Sequence, residues 1–340
     1  PVIVKASGLV APDFTWETVT QMDFGFDASF LNNRLTGTFD WYRRNTKDML
    51  VAGATLPATL GASVPKSNSA DMKTIGWELS LGWNDRLENG FSYWVKGVLS
   101  DYQATITKYA GNDAGFYSQS DDDGKYYVGQ KIGEIWGYHS NGLFQSDDEA
   151  ATIDQSELYA GKWGAGDVKY EDLDNDGKIT KGEETIYNPG DKSIIGNKTP
   201  RYQFGITVGF DYKNFDFEMF WQGTGKRDYM LSGAQFWGFT SQWDVPYTPA
   251  LDYWTETNTD AYFPRPGWQN GGNRVTSDRY LQSAAYGRLK NLTVGYTIPK
   301  NLTTKWGISR LRLYVTGENL FTLTGLPQGF DPETIGTGYG

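Results

Sequence analysis

Three groups of residues in this chain have types and spacings that could do chemistry. The first is the stretch 172–183, which matches the pattern of an EF-hand calcium loop. Asp172, Asp174 and Asp176 would offer carboxylate oxygens, Lys178 its backbone carbonyl and Glu183 a closing carboxylate, with Gly177 at the sharp turn. Ca2+ is a hard cation and takes such oxygens. The same residues also make an acidic, glycine-containing turn that needs no ion, and no amphipathic helix flanks it on either side. The second group is aromatic: Trp237, Trp243, Tyr253, Trp254 and Trp268, interspersed with Asp, Asn and Arg. Such rings stack on sugars while the polar neighbours bond hydroxyls, or they meet a partner that closes over the loop. They can equally pack the loop against itself. The third group is ionisable: Asp121-Asp122-Asp123, Asp147-Asp148-Glu149 and His139. Acid–base catalysis needs two opposed carboxylates in a pocket, and runs of this kind are solvated faces. A single histidine argues against a multi-His metal centre, a Ser-His-Asp triad and a pH switch. The chain is therefore read as no enzyme.

Composition narrows the setting in which these groups sit. The chain has 340 residues and a formal net charge of -10, which argues against nucleic acid as a partner. It has no Cys, so neither a disulfide framework nor a thiolate site is possible. Aromatic residues are abundant, with 13 Trp, 22 Tyr and 18 Phe, and 41 Gly suit a turn-rich β protein. Mean hydropathy is -0.55. No apolar run approaches the roughly 18 residues of a transmembrane helix. A membrane barrel escapes that test, because alternation dilutes its hydropathy. The chain starts with neither Met nor a signal peptide and reads as an internal or processed piece.

The elements that must position these groups are strands. Near 19–45, Met22, Phe24, Phe26, Ala28 and Phe30 alternate with polar or small residues, then Leu35, Gly37, Phe39 and Trp41 do so after a two-residue turn at Asn32-Asn33. Three more pairs follow near 73–102, 201–222 and 288–318, with a minimal turn at Lys213-Asn214. Their lengths approach the ~9–11 residues that a tilted strand needs to cross a bilayer. Long polar or aromatic stretches near 46–71, 103–199 and 225–280 separate the pairs, and short connections join the strands within them. This alternation of short and long is the habit of outer-membrane barrels, with short periplasmic turns and long extracellular loops. Trp16, Trp41, Trp83 and Trp94 fall near strand ends, where an interfacial girdle would place them. The pattern predicts an all-β, antiparallel transmembrane β-barrel with long extracellular loops. The alternative is a secreted β-sandwich glycan-binding module with a calcium loop; a carbohydrate-active enzyme lacks its acid–base pair.

Several stretches together resemble the C-terminal part of the SusC/RagA family of TonB-dependent outer-membrane transporters. They include Pro12-Asp13-Phe14-Thr15-Trp16-Glu17, Leu31-Asn32-Asn33-Arg34-Leu35, Asp40-Trp41-Tyr42-Arg43-Arg44-Asn45 and Gly142-Leu143-Phe144-Gln145. Pro200-Arg201-Tyr202, Arg288-Leu289-Lys290-Asn291-Leu292, Gly317-Glu318-Asn319-Leu320-Phe321-Thr322 and Asp331-Pro332-Glu333 continue the likeness in family order. The resemblance implies one part of a larger barrel of about 22 strands. The family's N-terminal plug, TonB box and closing strand are not visible. It also implies the outer membrane of a Gram-negative, Bacteroidetes-like cell and import of oligosaccharides or peptides. A SusD-like surface lipoprotein, the TonB complex and outer-membrane lipid are the implied partners. No cofactor is implied beyond Ca2+ in the 172–183 turn.

Overall fold

The computed structural model describes residues 14–52, 65–117 and 125–335. The period-two alternation builds eight long strands: β1 (Thr18–Phe30), β2 (Leu35–Ala52), β3 (Lys66–Arg86), β4 (Ser92–Tyr109), β9 (Arg201–Tyr212), β10 (Phe215–Lys226), β13 (Tyr286–Thr297) and β14 (Arg312–Thr324). They form one sheet in the order β1-β2-β3-β4-β9-β10-β13-β14, every neighbour antiparallel. Six short strands lie in the connections. β5 (Glu134–Tyr138) pairs with β8 (Lys192–Asn197), β6 (Ser140–Leu143) with β7 (Val168–Tyr170), and β11 (Asp228–Met230) with β12 (Leu281–Ser283).

Register shows that the two faces of the sheet are chemically distinct across all eight strands. Residues paired across strands share a face. One row runs Ala28, Gly37, Leu81, Gly97, Ile206, Trp221, Leu289, Phe321. Another on the same face runs Phe30, Leu35, Trp83, Val95, Val208, Met219, Leu292, Gly317. The opposite face carries rows such as Ser29, Thr36, Gly82, Lys96, Thr207, Phe220, Asn291, Glu318. A bulge at Lys290 keeps β13 in phase on both sides of Leu289 and Asn291. The apolar rows remain exposed: Phe24, Phe26, Leu81, Ile206 and Val294 are all open on that face. A β-sandwich would cover them with a second sheet, so that alternative fails. An apolar outer face and a polar inner face are the wall of a transmembrane barrel.

The expected element limits need several corrections. The β1–β2 turn spans 31–34 rather than two residues, because Leu31, Asn32 and Asn33 all take positive φ. Strands β2, β3 and β4 run well past the alternating stretches, so that the connection expected at 46–71 shrinks to 53–65, of which 53–64 lies outside the described residues. Pairing continues there without alternation, since backbone hydrogen bonds do not need an apolar face. Trp41 and Trp83 lie on the apolar face near its two ends, six residues apart in register, or about 20 Å along a strand. Trp94 does not join them. It pairs with Gly209, beside Glu218 on the inner face, where its indole covers the glycine. Its odd-even position, not its nearness to a strand end, decides its side.

The principal buried core lies in the connections. Tyr138, Leu143, Val168, Tyr170, Ile179, Leu231, Phe236, Phe263 and Tyr280 form one cluster drawn from 110–200 and 227–285. These two long connections fold together into a cap at the long-loop end of the sheet. The wall itself, with lipid on one side and the lumen on the other, has little to bury within this chain.

Candidate functional site

The cap is assembled by a few buried polar groups that bridge its two halves. Asp167 is 1% exposed, and both of its carboxylate oxygens are saturated. Oδ1 accepts from Arg265 Nε at 3.1 Å and Asn273 Nδ2 at 2.8 Å; Oδ2 accepts from Arg265 Nη2 at 2.7 Å and the Gly164 amide at 2.9 Å. Asn273 completes the tie by accepting from the Val168 amide at 2.8 Å. The Tyr170 hydroxyl donates to the Gly272 carbonyl at 2.7 Å. Gln155, also buried, clips β7 from the other side through the Val168 carbonyl and the Tyr170 amide. Burial pushes the Tyr170 phenol well above its ordinary range, so it stays a neutral donor.

The acidic turn is partly brought together. Carboxylate oxygens of Asp172, Asp174 and Asp176 lie within 4.8 Å of one another. Glu183 is not in that group; its amide bonds the Asn188 carbonyl in a separate turn closed by Gly182 against Gly190. Lys178 lies on the loop with its amide bonded to Asp176 at 2.8 Å. The two ends of the turn are pinned by buried Asp191, which accepts from the Leu173 and Thr180 amides, both at 2.7 Å. The Asp174 carboxyl is raised from its ordinary value, first by desolvation and then by the charges of Asp176, Asp191 and Asp172. Asp172 is lowered: desolvation works against it, but the amides of Gly177, Asn175 and Asp176 outweigh that. Among the three carboxylates, repulsion is incompletely screened, a condition that a divalent cation relieves.

The aromatic group divides. Trp237, Tyr253 and Trp254 pack against the cap core, with Trp237 edge-on to Tyr280 at 4.4 Å between centroids. Trp254 lies over Gly166, where a Cβ would fall 2.5 Å from the ring. Trp243 and Trp268 are instead open, at 83% and 47% exposure. Trp237 and Tyr253 line a narrow cleft with Phe239, Arg265 and Arg274. Trp243 and Trp268 are thus the exposed members of the five, and the other three are half-buried.

Other groups acquire roles that spacing did not reveal. His139 bonds Asp278 through Nδ1 at 2.8 Å and Ser193 through Nε2 at 2.6 Å. The order matches a hydrolytic triad, yet the second oxygen of Asp278 holds the Ser140 amide at 2.9 Å, and the trio clasps three segments of the cap. Asp147 and Glu149 from the second acidic run are structural: Asp147 binds Lys162 and the Ala165 amide, and Glu149 binds Lys169 and the Gln145 amide. The Asp121-Asp122-Asp123 run and the Pro12-Asp13 motif lie outside the described residues. Arg288, 8% exposed on the inner face, reaches Asp331 and Glu333, each at 2.7 Å, and Lys290 joins Glu333. These contacts draw 325–335 inward against the top of the wall. No local signal marks such pairs, since their members are tens of residues apart.

Below the cap, the inner wall presents Asp23, Asp27, Asp40, Glu78, Asp211, Glu218 and Glu318, with Thr, Ser, Gln and Asn between them. Such a surface holds water and hydrogen-bonding solutes and repels lipid.

Comparison with known proteins agrees with this geometry. The family described as TonB dependent receptor-like, beta-barrel matches residues 5–320. TonB-dependent receptor P3 of Formosa agariphila is 30% identical over 348 residues, covering 97% of this chain and 32% of its own length. TonB-dependent receptor SusC of Bacteroides thetaiotaomicron is 26% identical over 322 residues, covering 94% of this chain and 30% of its own length. Among solved structures, the RagAB peptide transporter superposes with a TM-score of 0.71 at 22% identity, over 95% of this chain and 33% of that one. The chain spans about a third of the length of the curated relatives it matches. With its eight-stranded antiparallel sheet, divided faces and capped long-loop end, the chain belongs to the TonB-dependent receptor-like β-barrel family.

Proposed function

We propose that this chain forms part of the wall and outer cap of an outer-membrane importer for oligosaccharides or peptides. The observation that carries the reading is the division of the sheet into an apolar outer face and an acidic, hydroxyl-rich inner face beneath a folded cap. In this reading the substrate is captured at the cap under a SusD-like lipoprotein lid, and the TonB complex supplies the energy for its passage. Binding and release suffice, and no covalent step is involved. Exposed Trp243 and Trp268 are the ring surfaces offered to the substrate or the lid. The relatives supply parallels, one named SusC and one a peptide transporter.

The test uses the full-length protein, tagged and extracted from outer membranes in mild detergent. Co-purification of a surface lipoprotein, heat-modifiable migration and energy-dependent uptake of labelled oligosaccharides or peptides support the proposal. A protein found in the soluble fraction, or one whose loss changes uptake of neither class, overturns it. We also propose Ca2+ in the 172–183 turn, with Asp172, Asp174 and Asp176 as its carboxylate ligands. Calcium should slow amide exchange across 172–180, and Asp174→Asn should abolish that effect. Equal protection with and without calcium would refute it.

A further inference from the structure

We infer that the outer face carries, just above its aromatic belt, a docking band for a phosphate-bearing lipid headgroup of the outer leaflet. The inference rests on the membership in the barrel family and on the register of β1 to β4. At the long-loop end the last aromatic row is Phe24, Trp41, Trp77, ending on β4 at Asp101, which pairs with Arg201. Alternation carries the same face upward by two residues at a time, about 7 Å along the strand. The next row is Met22, Arg43, Ile75, Gln103. The row beyond it is Thr20, Asn45, Lys73, Thr105, and Lys131 extends it by bridging to Thr105. The 129–132 segment is fixed there as an added strand, through Ile106 N to Gln130 O and Ile132 N to Ala104 O, both at 2.9 Å. Arg43, Lys73 and Lys131 thus stand on the lipid-facing side, at the height where the hydrocarbon gives way to headgroups. Lys131 also lines a cleft with Gln103, Glu134, Arg201, Lys226 and Asp228.

Charge accounting points to an anion. The chain as a whole carries a formal net charge of -10, so a basic band is no reflection of average composition. Five bases, Arg43, Lys73, Lys131, Arg201 and Lys226, face four acids, of which only Asp101 is in an ion pair; Asp71, Glu134 and Asp228 accept hydrogen bonds from amides or a hydroxyl and keep their charges. Asp101 is clamped by Arg201, and Asp71 holds the Asp48 amide at 2.9 Å. Glu134 accepts from the Lys131 amide at 3.1 Å and from the Tyr127 hydroxyl, and Asp228 accepts from the Asn197 amide at 2.9 Å. Among the described residues Arg43 has one side-chain hydrogen bond, from Nε to Asn45 at 3.3 Å, and Arg43, Lys73, Lys131 and Lys226 form no ion pair. Long basic side chains on an apolar face send their charges toward the interface. Tryptophans two residues below fix the depth of that interface. A phosphate on a lipid headgroup meets both conditions at once, since its acyl chains lie on the belt and its charge lies at the band.

The experiment compares the full-length protein with the Arg43→Gln, Lys73→Gln, Lys131→Gln triple variant in neutral detergent. The probes are lipid A and the same lipid stripped of its phosphates, with binding read by native mass spectrometry. A matched triple variant at the short-turn end, Lys213→Gln, Lys300→Gln, Lys305→Gln, makes the same change in net charge. At about 1 kcal/mol for each basic residue, the outer triple should bind lipid A roughly a hundredfold more weakly. The matched triple should bind like the parent, and raised salt should weaken only the parent and matched proteins. Heat-modifiable migration establishes that all of them hold folded barrels. Equal binding of phosphorylated and stripped lipid by the parent would overturn the inference, as would equal losses in the two triples.

Discussion

Replacing Asp167 with alanine should open the cap while the barrel strands stay folded. The carboxylate is 1% exposed, and it is the common acceptor for two donors from Arg265, one from Asn273 and one from Gly164. Removing one member of a buried ion pair costs about 3–5 kcal/mol. The Arg265 side chain is 41% exposed and regains water when it is released, which favours the lower end. Asn273 and the Gly164 amide have no such recourse, and each orphaned donor costs about 1–3 kcal/mol. A net loss of about 5 kcal/mol raises the local opening constant by roughly three to four orders of magnitude. Hydrogen exchange on the full-length protein in detergent reads this directly, through peptides covering 143–170 and 263–275. Peptides from β9 and β10 act as the internal reference. Arg265→Ala should cost at least as much, because it leaves the carboxylate buried without a counter-charge. The double variant should fall short of the sum by about 1–3 kcal/mol, the mark of residues in one network. Unchanged protection in the two cap segments, equal loss in β9 and β10, or strict additivity would refute the reasoning.

Three further outcomes test other parts of the structure. Ile206→Lys, in the middle of the lipid-facing belt, should destabilise the barrel by about 2–4 kcal/mol, whereas Thr207→Lys, one residue on and facing the lumen, should be nearly neutral; denaturant titration in lipid vesicles distinguishes them. Gly166→Ala should loosen the cap by about 1–3 kcal/mol, because the residue sits at φ +83 and the added Cβ would fall 2.5 Å from the Trp254 ring; a drop in cap protection without a change in β9 reads it. The 325–335 segment should detach in acid. Burial pushes the Asp331 carboxyl up, but the hydrogen bond from Arg288, the Glu333 amide and the charges of Arg288 and Lys290 together hold it below its usual value. Its contribution is therefore complete above the unfolded carboxylate value and is lost as pH falls through the folded one. Limited proteolysis of 325–335 along a pH series should show this, and Arg288→Met should remove most of the pH dependence.

The sequence by itself determined what depends on neighbours two residues apart. The alternation of Phe24, Phe26 and Phe30, or of Phe204, Ile206 and Val208, states which face each side chain takes, because a strand has no other period. Short and long connections are legible for the same local reason, and so is the acidic ring, since Asp172, Asp174 and Asp176 lie within one turn. Only the tertiary structure decided what depends on chain segments meeting. Asp167 and Arg265 are 98 residues apart, and His139 and Asp278 are 139 apart. No spacing rule links them, and their contacts exist only because two long connections fold onto one core. The same folding packed Trp237, Tyr253 and Trp254, half-buried, against the cap core and left Trp243 and Trp268 open, although all five are aromatic residues of one loop. It also kept Glu183 out of the acidic ring, where Gly182 packs against Gly190 and turns the chain away. Local alternation is written in each strand, whereas the partner of a buried polar group is chosen by the whole chain.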